Sequence, residues 1–451
     1  MIDAQRLYDD LVGHCKPPEQ CLIGVEHEAF LFSQHDHRRL PYAGPAGIEG
    51  VLTALERFGW QPQHEQGRLV GLSGDAASIT LEPAGQLELS GTPWPDLHGV
   101  AAEMIEHRRQ LAELADDLGL GVLALGFAPA WGREAADWVP KSRYRIMRDY
   151  MPRVGVHGLD MMARSCSLQL NFDYCSEADM REKYRLAMAL QPLVMVALAN
   201  APFADGEDSA LTSYRHYVWL HTDSARCGVL PEVLRDDFGF ADYVQRAMDV
   251  PMYSVARDGA HLDLAGRSFR DMMRGELHEL PGETPTQQDW ADHLNTLMHD
   301  VRLKGHLELR GNDSLPLELS LSLAAFWTGL LYDERARRQA LALVEGCDAA
   351  HLNLLRHRLP GLGLADSHRI SVSGVYRAAS LLEALEAAFD LAHQGLERRA
   401  RRDASGKNET AYLEPLRRII GRRFSPAERW RGQLQREWRG HLGALYRHAG
   451  F

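Results

Sequence analysis

The sequence predicts an α+β fold in which an antiparallel β-sheet with one polar face is flanked by helices and followed by a helical C-terminal part. Three observations predict it. Four separated segments alternate polar and apolar residues with the period of a strand, helical patterns fill the intervals between them, and beyond Ser320 the pattern turns helical. With 451 residues, 45% of them hydrophobic, the chain can bury a large core. We expect residues 1–335 to form the sheet-bearing core and residues 336–451 a helical region packed on it as one continuous domain.

Composition removes several function classes. A net charge of -12 argues against binding the phosphate backbone of a nucleic acid. The sequence holds no run of about 18 apolar residues to span a bilayer, and its first residues lack the basic-then-apolar pattern of a signal peptide, so a cytoplasmic address and no membrane partner are expected. Six cysteines without CxxC spacing support neither a zinc cluster nor a thioredoxin-type site. Cys15 and Cys21 are the pair considered for a regulatory disulfide.

Taken in order, residues 1–13 read as an amphipathic helix. Residues 22–32 (Leu-Ile-Gly-Val-Glu-His-Glu-Ala-Phe-Leu-Phe) read as a strand with Glu26 and Glu28 on one face, about 7 Å apart, and Ile23, Val25, Ala29 and Leu31 on the other. Alone, such a pair is most often solvated. Residues 35–39 are a charged turn, and residues 44–71 a loop followed by a helix near 47–58. Residues 78–90 alternate on both sides of a Pro-Ala-Gly turn, a hairpin with Glu82, Gln86 and Glu88 opposite Leu81, Leu87 and Leu89. A long helix follows from Asp96, a plausible N-cap, to Leu118, with Gly119 as its stop.

Residues 141–148 read as a basic, aromatic loop whose cations could face an anionic ligand, although an ordinary solvated stretch looks the same. Residues 165–174 alternate most cleanly, with Ser165, Ser167, Gln169, Asn171 and Asp173 on one face. Residues 177–200 are helical with a break or kink at Pro192, residues 214–219 mix aromatic groups with Arg215, and residues 240–249 and 286–299 are helical. Residues 301–310 return to strand character, with His306, Glu308 and Arg310 on one face. Helices follow at 321–332, 334–344, 375–402 and 426–447. Their paired arginines read as solvated faces and ion pairs.

If the four strands share a sheet, Glu26, Glu28, Glu82, Glu88, Gln169, Asn171, Glu308 and Arg310 converge on one concave surface. Five carboxylates there need counter-charge, and all-oxygen ligands point to Mg²⁺ or Mn²⁺ rather than zinc. Divalent ions beside arginines suit polyphosphate chemistry, where catalysis is mostly positioning and charge neutralisation. No Gly-rich phosphate loop of the P-loop type is present in the sequence.

These residues carry a resemblance. Ile-Gly-Val-Glu-His-Glu (23–28), Leu-Glu-Pro-Ala-Gly-Gln-Leu-Glu-Leu-Ser-Gly (81–91), Arg-Tyr-Arg-Ile-Met-Arg-Asp-Tyr-Met-Pro (143–152), the run 158–173, Ala-Met-Asp-Val-Pro-Met-Tyr (247–253) and Leu-Glu-Leu-Arg-Gly (307–311) are similar, in order, to the glutamate-cysteine ligases of the plant and proteobacterial type. The resemblance implies the glutamine-synthetase-like carboxylate-amine ligase fold, a curved antiparallel sheet whose concave face holds ATP, glutamate and two or three Mg²⁺ ions. It implies metal binding by Glu26, Glu28, Glu82, Glu88 and Glu308, with Gln169 and Asn171 beside them on the nucleotide side. Arg310 would contact the nucleotide phosphates and, with Glu26, count as catalytic. Arg143 and Arg215 would take the glutamate carboxylate in bidentate fashion, with Arg164, Tyr214 and Trp219 as further substrate-binding candidates. A homodimer is compatible with the resemblance.

The implied reaction joins the γ-carboxylate of glutamate to an amine, cysteine in the first instance, through a γ-glutamyl phosphate. Departures from the family pattern at Leu220, His221 and His306 leave another amine acceptor open. Two alternatives outside the ligases are a phosphotransferase of the guanidino-kinase type, which shares the sheet and the combination of acids with arginines, and an inactive binding paralogue.

Overall fold

The computed structural model describes residues 3–449. Residues 1 and 2 of the expected N-terminal helix and residues 450 and 451 of the helical C-terminal region lie outside it. The chain is organised on a nine-stranded sheet among the described residues. Its central strand is β1 (Ile23–Ser33), followed in chain order by β2 (Gln61–Glu65), β3 (Arg68–Ser73), β4 (Ser78–Leu81), β5 (Leu87–Ser90), β6 (Leu120–Leu123) and β7 (Leu168–Phe172). The last two strands are Val301–Leu303 and Leu307–Leu309. In space the order runs 301–303, 307–309, β7, β1, β5, β4, β3, β2, and every pairing along it is antiparallel.

β1 has two halves with different neighbours. Residues 23–29 pair with β5 and β7, whereas Phe30–Ser33 pair with β6. Side chains of one strand alternate between faces, so Gly24, Glu26, Glu28, Phe30 and Phe32 share a face that is polar in the first half and aromatic in the second. Phe30 and Phe32 pack with Trp131, Trp430, Trp438 and Tyr446. The C-terminal helices Pro426–Arg436 and Gly443–Ala449 thus close one end of the face that stays polar at the other. The opposite face is apolar: Ile23, Val25, Leu168, Leu170 and Phe172 pack in one core with α3 (Leu97–Leu118), α6 (Glu177–Ala197) and the helices 317–331 and 381–399.

Where local signals are strong, expectation and structure agree. Asp96 caps α3 by accepting from the backbone N–H groups of His98 and Gly99, and Gly119 ends it at φ 63°, the left-handed conformation glycine tolerates. The Pro-Ala-Gly hairpin forms as β4 and β5, with Gly85 at φ 83°.

Elsewhere the structure corrects the reading. The basic stretch expected as a loop is a helix, α4 (Ser142–Tyr150). Lys141 provides no side-chain cap, and the N-terminus is held instead by Glu65, which accepts from the backbone N–H and the hydroxyl of Ser142 at 2.8 Å each. Glu65 belongs to the β2–β3 hairpin, which stands where a loop is expected; Gln61–Glu65 shows no alternation and is almost wholly exposed. β6 was also missed, as a four-residue apolar run too short to distinguish from a helix end. α6 runs unbroken through Pro192; its residues 186–197 are all buried, and that packing outweighs the lost backbone bond. Residues 301–310 form two strands with a turn at Lys304-Gly305-His306 rather than one strand. The helix expected at 375–402 is shorter, Leu381–Arg399, and starts at a Ser380 cap. The helix expected over 426–447 is interrupted where Arg439 and Gly440 take positive φ.

Candidate active site

The antiparallel register lays the polar face out in three rows. Arg302, Glu308, Asn171 and Gly24 are successive partners across four strands. Beside them run Gln169, Glu26, Ser90 and Ser78, then Glu28, Glu88 and Thr80. Gly24 leaves room that Asn171 fills: a Cβ there would stand 3.0 Å from the Asn171 Cβ. Leaning across it, Asn171 donates to Glu26 Oε1 at 2.7 Å.

These rows floor a cleft of about 440 Å³ lined by Glu26, Glu28, Glu82 and Glu88, a size within the range of small-molecule sites. Arg143 and Met147, from α4, form one wall. Arg215 and Trp219, from α7 (Tyr214–Leu220), form another, with the Arg215 guanidinium 5.4 Å from the Trp219 ring centroid. Arg302, Arg310 and Asp292 also line it.

The carboxylates divide into two electrostatic classes. Burial, then the charge of Glu82, push the Glu28 carboxyl up to about 7 against the pull of Arg215 and of two hydrogen bonds from Ser167, at 2.7 Å from its N–H and 2.8 Å from its hydroxyl. Burial, together with Glu26, Glu82 and Glu28, pushes Glu88 well above the usual carboxylate range, although Thr80 donates to it at 2.9 Å. Glu308 is the reverse. Burial alone would raise it, but Arg302, Lys304 and Arg310 hold it well below the usual range. Arg302 Nη2 lies 2.7 Å and Lys304 Nζ 2.8 Å from its Oε2. Arg310 bridges Glu308 and Gln169.

The structure therefore brings together most of the residues singled out from sequence. Glu26, Glu28, Glu82, Glu88, Gln169, Arg143, Arg215, Trp219 and Arg310 line one cleft, and Asn171 braces it from the adjoining row. Glu308 lies beneath, fully buried and committed to three cations. Arg164 and Tyr214 stand apart from the lining. Arg164 bonds Asp160 at 3.1 Å and Asp205 at 2.6 Å under the Phe127 ring, and Tyr214 packs on Phe127 and Tyr217. Gln86 is likewise structural, tying the hairpin to the carbonyls of Met162 and Ser165. The Cys15–Cys21 pairing is replaced: Cys21 Sγ faces Cys175 Sγ at 3.6 Å, and both are free thiols.

Sequence reading missed Arg302. The signal was available in Val301-Arg302-Leu303, whose alternation places an arginine on the polar face, but the stretch was read as one strand and the guanidinium lost its register with Glu308. In the wall contributed by Tyr253, Ser254, His261 and Asn295, only Tyr253 falls in a motif of the resemblance, 247–253, and none of the four was singled out. Among the departures, Leu220 lines a small cavity behind Arg215 and Trp219. His221 turns to the surface against Tyr217, and burial pulls His306 down to about 4.

Three buried N–H groups of this region have no partner among the described residues: Arg215 Nε, Trp219 Nε1 and Arg310 Nε. Unpaired buried donors are costly, and together they ask for acceptor oxygens. The carboxylates ask for cations, since all-oxygen donors raised first by burial and then by one another, as Glu28 and Glu88 are, match hard divalent ions. No three His, Cys, Asp or Glu side chains among the described residues are gathered into a ready cage.

The same fold occurs in a solved glutamate-cysteine ligase of Francisella tularensis in complex with AMP, which is 12% identical, covers 95% of this chain and 88% of that one, and superposes with a TM-score of 0.54. That likeness is one of fold; relatives in sequence show the class, a ligase. A family model described as glutamate-cysteine ligase family 2 matches residues 22–448. Curated relatives include the chloroplastic glutamate-cysteine ligases of Brassica juncea (40% identity, 95% of this chain and 81% of that protein) and Solanum lycopersicum (41% identity, 93% and 78%). The chain belongs to glutamate-cysteine ligase family 2.

Proposed function

We propose that the cleft joins the γ-carboxylate of glutamate to the amine of cysteine in an ATP-driven reaction. The observation that carries this reading is that Glu26, Glu28, Glu82 and Glu88 share one cleft with Arg143, Arg215 and Arg310. The acids suit a metal-neutralised polyphosphate, and the arginines suit phosphoryl oxygens and an amino-acid carboxylate. The family and its curated relatives support the choice of substrates.

In the first step a γ-carboxylate oxygen of glutamate attacks the γ-phosphorus of ATP, the β–γ bridging bond breaks, and ADP leaves. In the second, the amine nitrogen attacks the carbonyl carbon of the acyl phosphate, inorganic phosphate leaves with the C–O bonding pair, and the nitrogen loses a proton to give the amide. Arg310 faces the charge that builds on the transferred phosphoryl group. Arg143 and Arg215 clamp the glutamate α-carboxylate so that its γ-end points to the acids. Glu26, Glu28, Glu82 and Glu88 would hold Mg²⁺, which supplies charge neutralisation at the phosphates. Gln169 and Asn171 fix two of those carboxylates by hydrogen bonds to Glu28 and Glu26. A cytoplasmic address is part of the proposal.

The test is ADP release with glutamate and Mg²⁺, screened across amino-acid acceptors, with mass analysis of the product. Cysteine is expected to raise release far above the glutamate-only rate and to yield a γ-glutamyl amide. If no acceptor does so, the reading is wrong, and a stable phosphorylated product would assign the protein to the phosphotransferases. Glu26→Gln is expected to abolish turnover while leaving the thermal unfolding curve in place; an unfolded variant would mark Glu26 as structural.

A further inference from the structure

α4 is a wall between two concavities. Its residues Arg143 and Met147 face the cleft just described, while Lys141, Arg145 and Arg148 recur at the i, i+4, i+7 spacing of one helical face and line a separate groove of about 360 Å³. Tyr144 belongs to both linings. The groove has an aromatic side, Trp138, on which the Arg148 guanidinium lies 5.3 Å from the ring centroid, and Gln66 at the tip of the β2–β3 hairpin adds an amide.

Its charge is unbalanced. No carboxylate lines the groove. Neighbouring Glu65 is occupied capping α4 through Ser142. Among the described residues, neither Arg145 nor Arg148 has an acidic partner within ion-pair distance, whereas arginines elsewhere on this acidic chain are repeatedly paired, as at Arg57, Arg109, Arg235 and Arg274. Two guanidinium groups gathered without acids cost electrostatic energy, and an anion offsets it; Lys141, pulled down to about 8 by burial, has Glu82, Glu88 and Glu65 acting on it from outside the groove. Two planar guanidinium forks and an ammonium beside an aromatic ring match phosphoryl oxygens in geometry as well as charge.

We propose that this groove is a second anion site, separate from the catalytic cleft, that takes a phosphoryl group. Two sources share that chemistry, free inorganic phosphate and the diphosphate of a nucleotide, and only this choice of sources rests on the ligase reading. The site is coupled to the cleft by construction. Lys141 Nζ and the Tyr144 hydroxyl both donate to the carbonyl of Leu81, at 3.2 and 2.6 Å, one residue before Glu82, and Arg143 donates to the Tyr144 hydroxyl at 3.2 Å.

The experiment titrates the full-length protein with inorganic phosphate and, separately, with ADP, followed by ³¹P NMR, comparing wild type with Arg145→Ala and with Arg145→Ala/Arg148→Ala. Arg145 has no hydrogen-bond or ion-pair partner to lose among the described residues, so its single variant guards against loss of folding. The expected result is that the double variant weakens phosphate binding about tenfold, the single variant less, with kcat and KM for glutamate unchanged in phosphate-free buffer. Weakened ADP binding with phosphate binding intact identifies the nucleotide as the source. Unchanged binding of both overturns the proposal and leaves the cations as a solvated face. Loss of basal turnover in the folded single variant also overturns it, by making the groove part of the catalytic cleft. Absence of amine-dependent ADP release in wild type would sink the ligase reading without touching the phosphate comparison.

Discussion

Glu28 and Glu308 are both acids on the same face of the sheet, yet their neighbours give them opposite fates. Glu28 is crowded by other carboxylates, while Glu308 is gripped by Arg302, Lys304 and Arg310. Arg302 also donates to the carbonyls of Asn295 and Leu297, at 2.5 and 3.0 Å, so it ties the cleft wall to the sheet edge. Removing one partner of a buried ion pair leaves the other uncompensated. Arg302→Ala is therefore expected to cost about 3–5 kcal/mol in denaturant unfolding, and a loss under about 1 kcal/mol would show that Lys304 and Arg310 suffice. The acids could be read from sequence because alternation and the motifs around them mark them. For Arg302 alternation gives only the face, since its importance lies in pairing with Glu308 across a turn.

At the scale of elements, the C-terminal helix Pro426–Arg436 shows how a distant segment sets the site's limits. Trp430 packs with Phe30 and Leu125 in the core that closes the aromatic end of the shared face, and its indole donates to Asn200 Oδ1 at 2.8 Å. Asn200 in turn donates to the carbonyls of Ala124 and Ser314. Trp430→Ala is expected to lower stability by about 3–5 kcal/mol through the cavity and the orphaned amide. Measured by thermal unfolding, a shift no larger than that of an exposed substitution would mean that this helix is not part of the core. α3 was legible to the residue because its cap and stop are local, Asp96 and Gly119. α4 was not, because the carboxylate that caps it comes from Glu65 on another element.

For the whole molecule, two sets of buried groups bound the pH range from opposite sides. Burial pulls His107 and His299 down to about 3 and His293 to about 4, from an ordinary 6.5. Each binds its proton more readily when unfolded, so their contribution is present above 6.5 and is lost as pH falls toward 4. Glu28 is raised from 4.5 to about 7, and Glu88 is raised too. Their contribution is present below 4.5 and is lost as pH rises through 7. Metal-free protein should therefore show a maximum melting temperature near about pH 6, and Mg²⁺ should raise it most on the alkaline side, where both carboxylates are charged. Calorimetry from pH 4 to 8 with EDTA or Mg²⁺ checks this, and a metal-free curve flat between pH 6 and 8 would show that burial and neighbouring charge do not raise these carboxyls as described.

The sequence by itself determined the fold class, the polar face with its acids and amides, the hairpin at residues 78–90 and the span of α3, because alternation, turn chemistry and caps are local and survive without knowledge of neighbours. Its ordered motifs also pointed to the family. Only the tertiary structure decided that Glu308 is neutralised beneath the cleft, that Arg164 and Tyr214 stand outside it, that Cys21 faces Cys175 rather than Cys15, and that residues 142–150 form a helix with one side on the cleft and the other on a basic groove. Most of these depend on pairing between segments tens to hundreds of residues apart, and the Glu308 cluster on a turn that folds residues 302 and 308 together; register and burial, not local pattern, fix which charges meet.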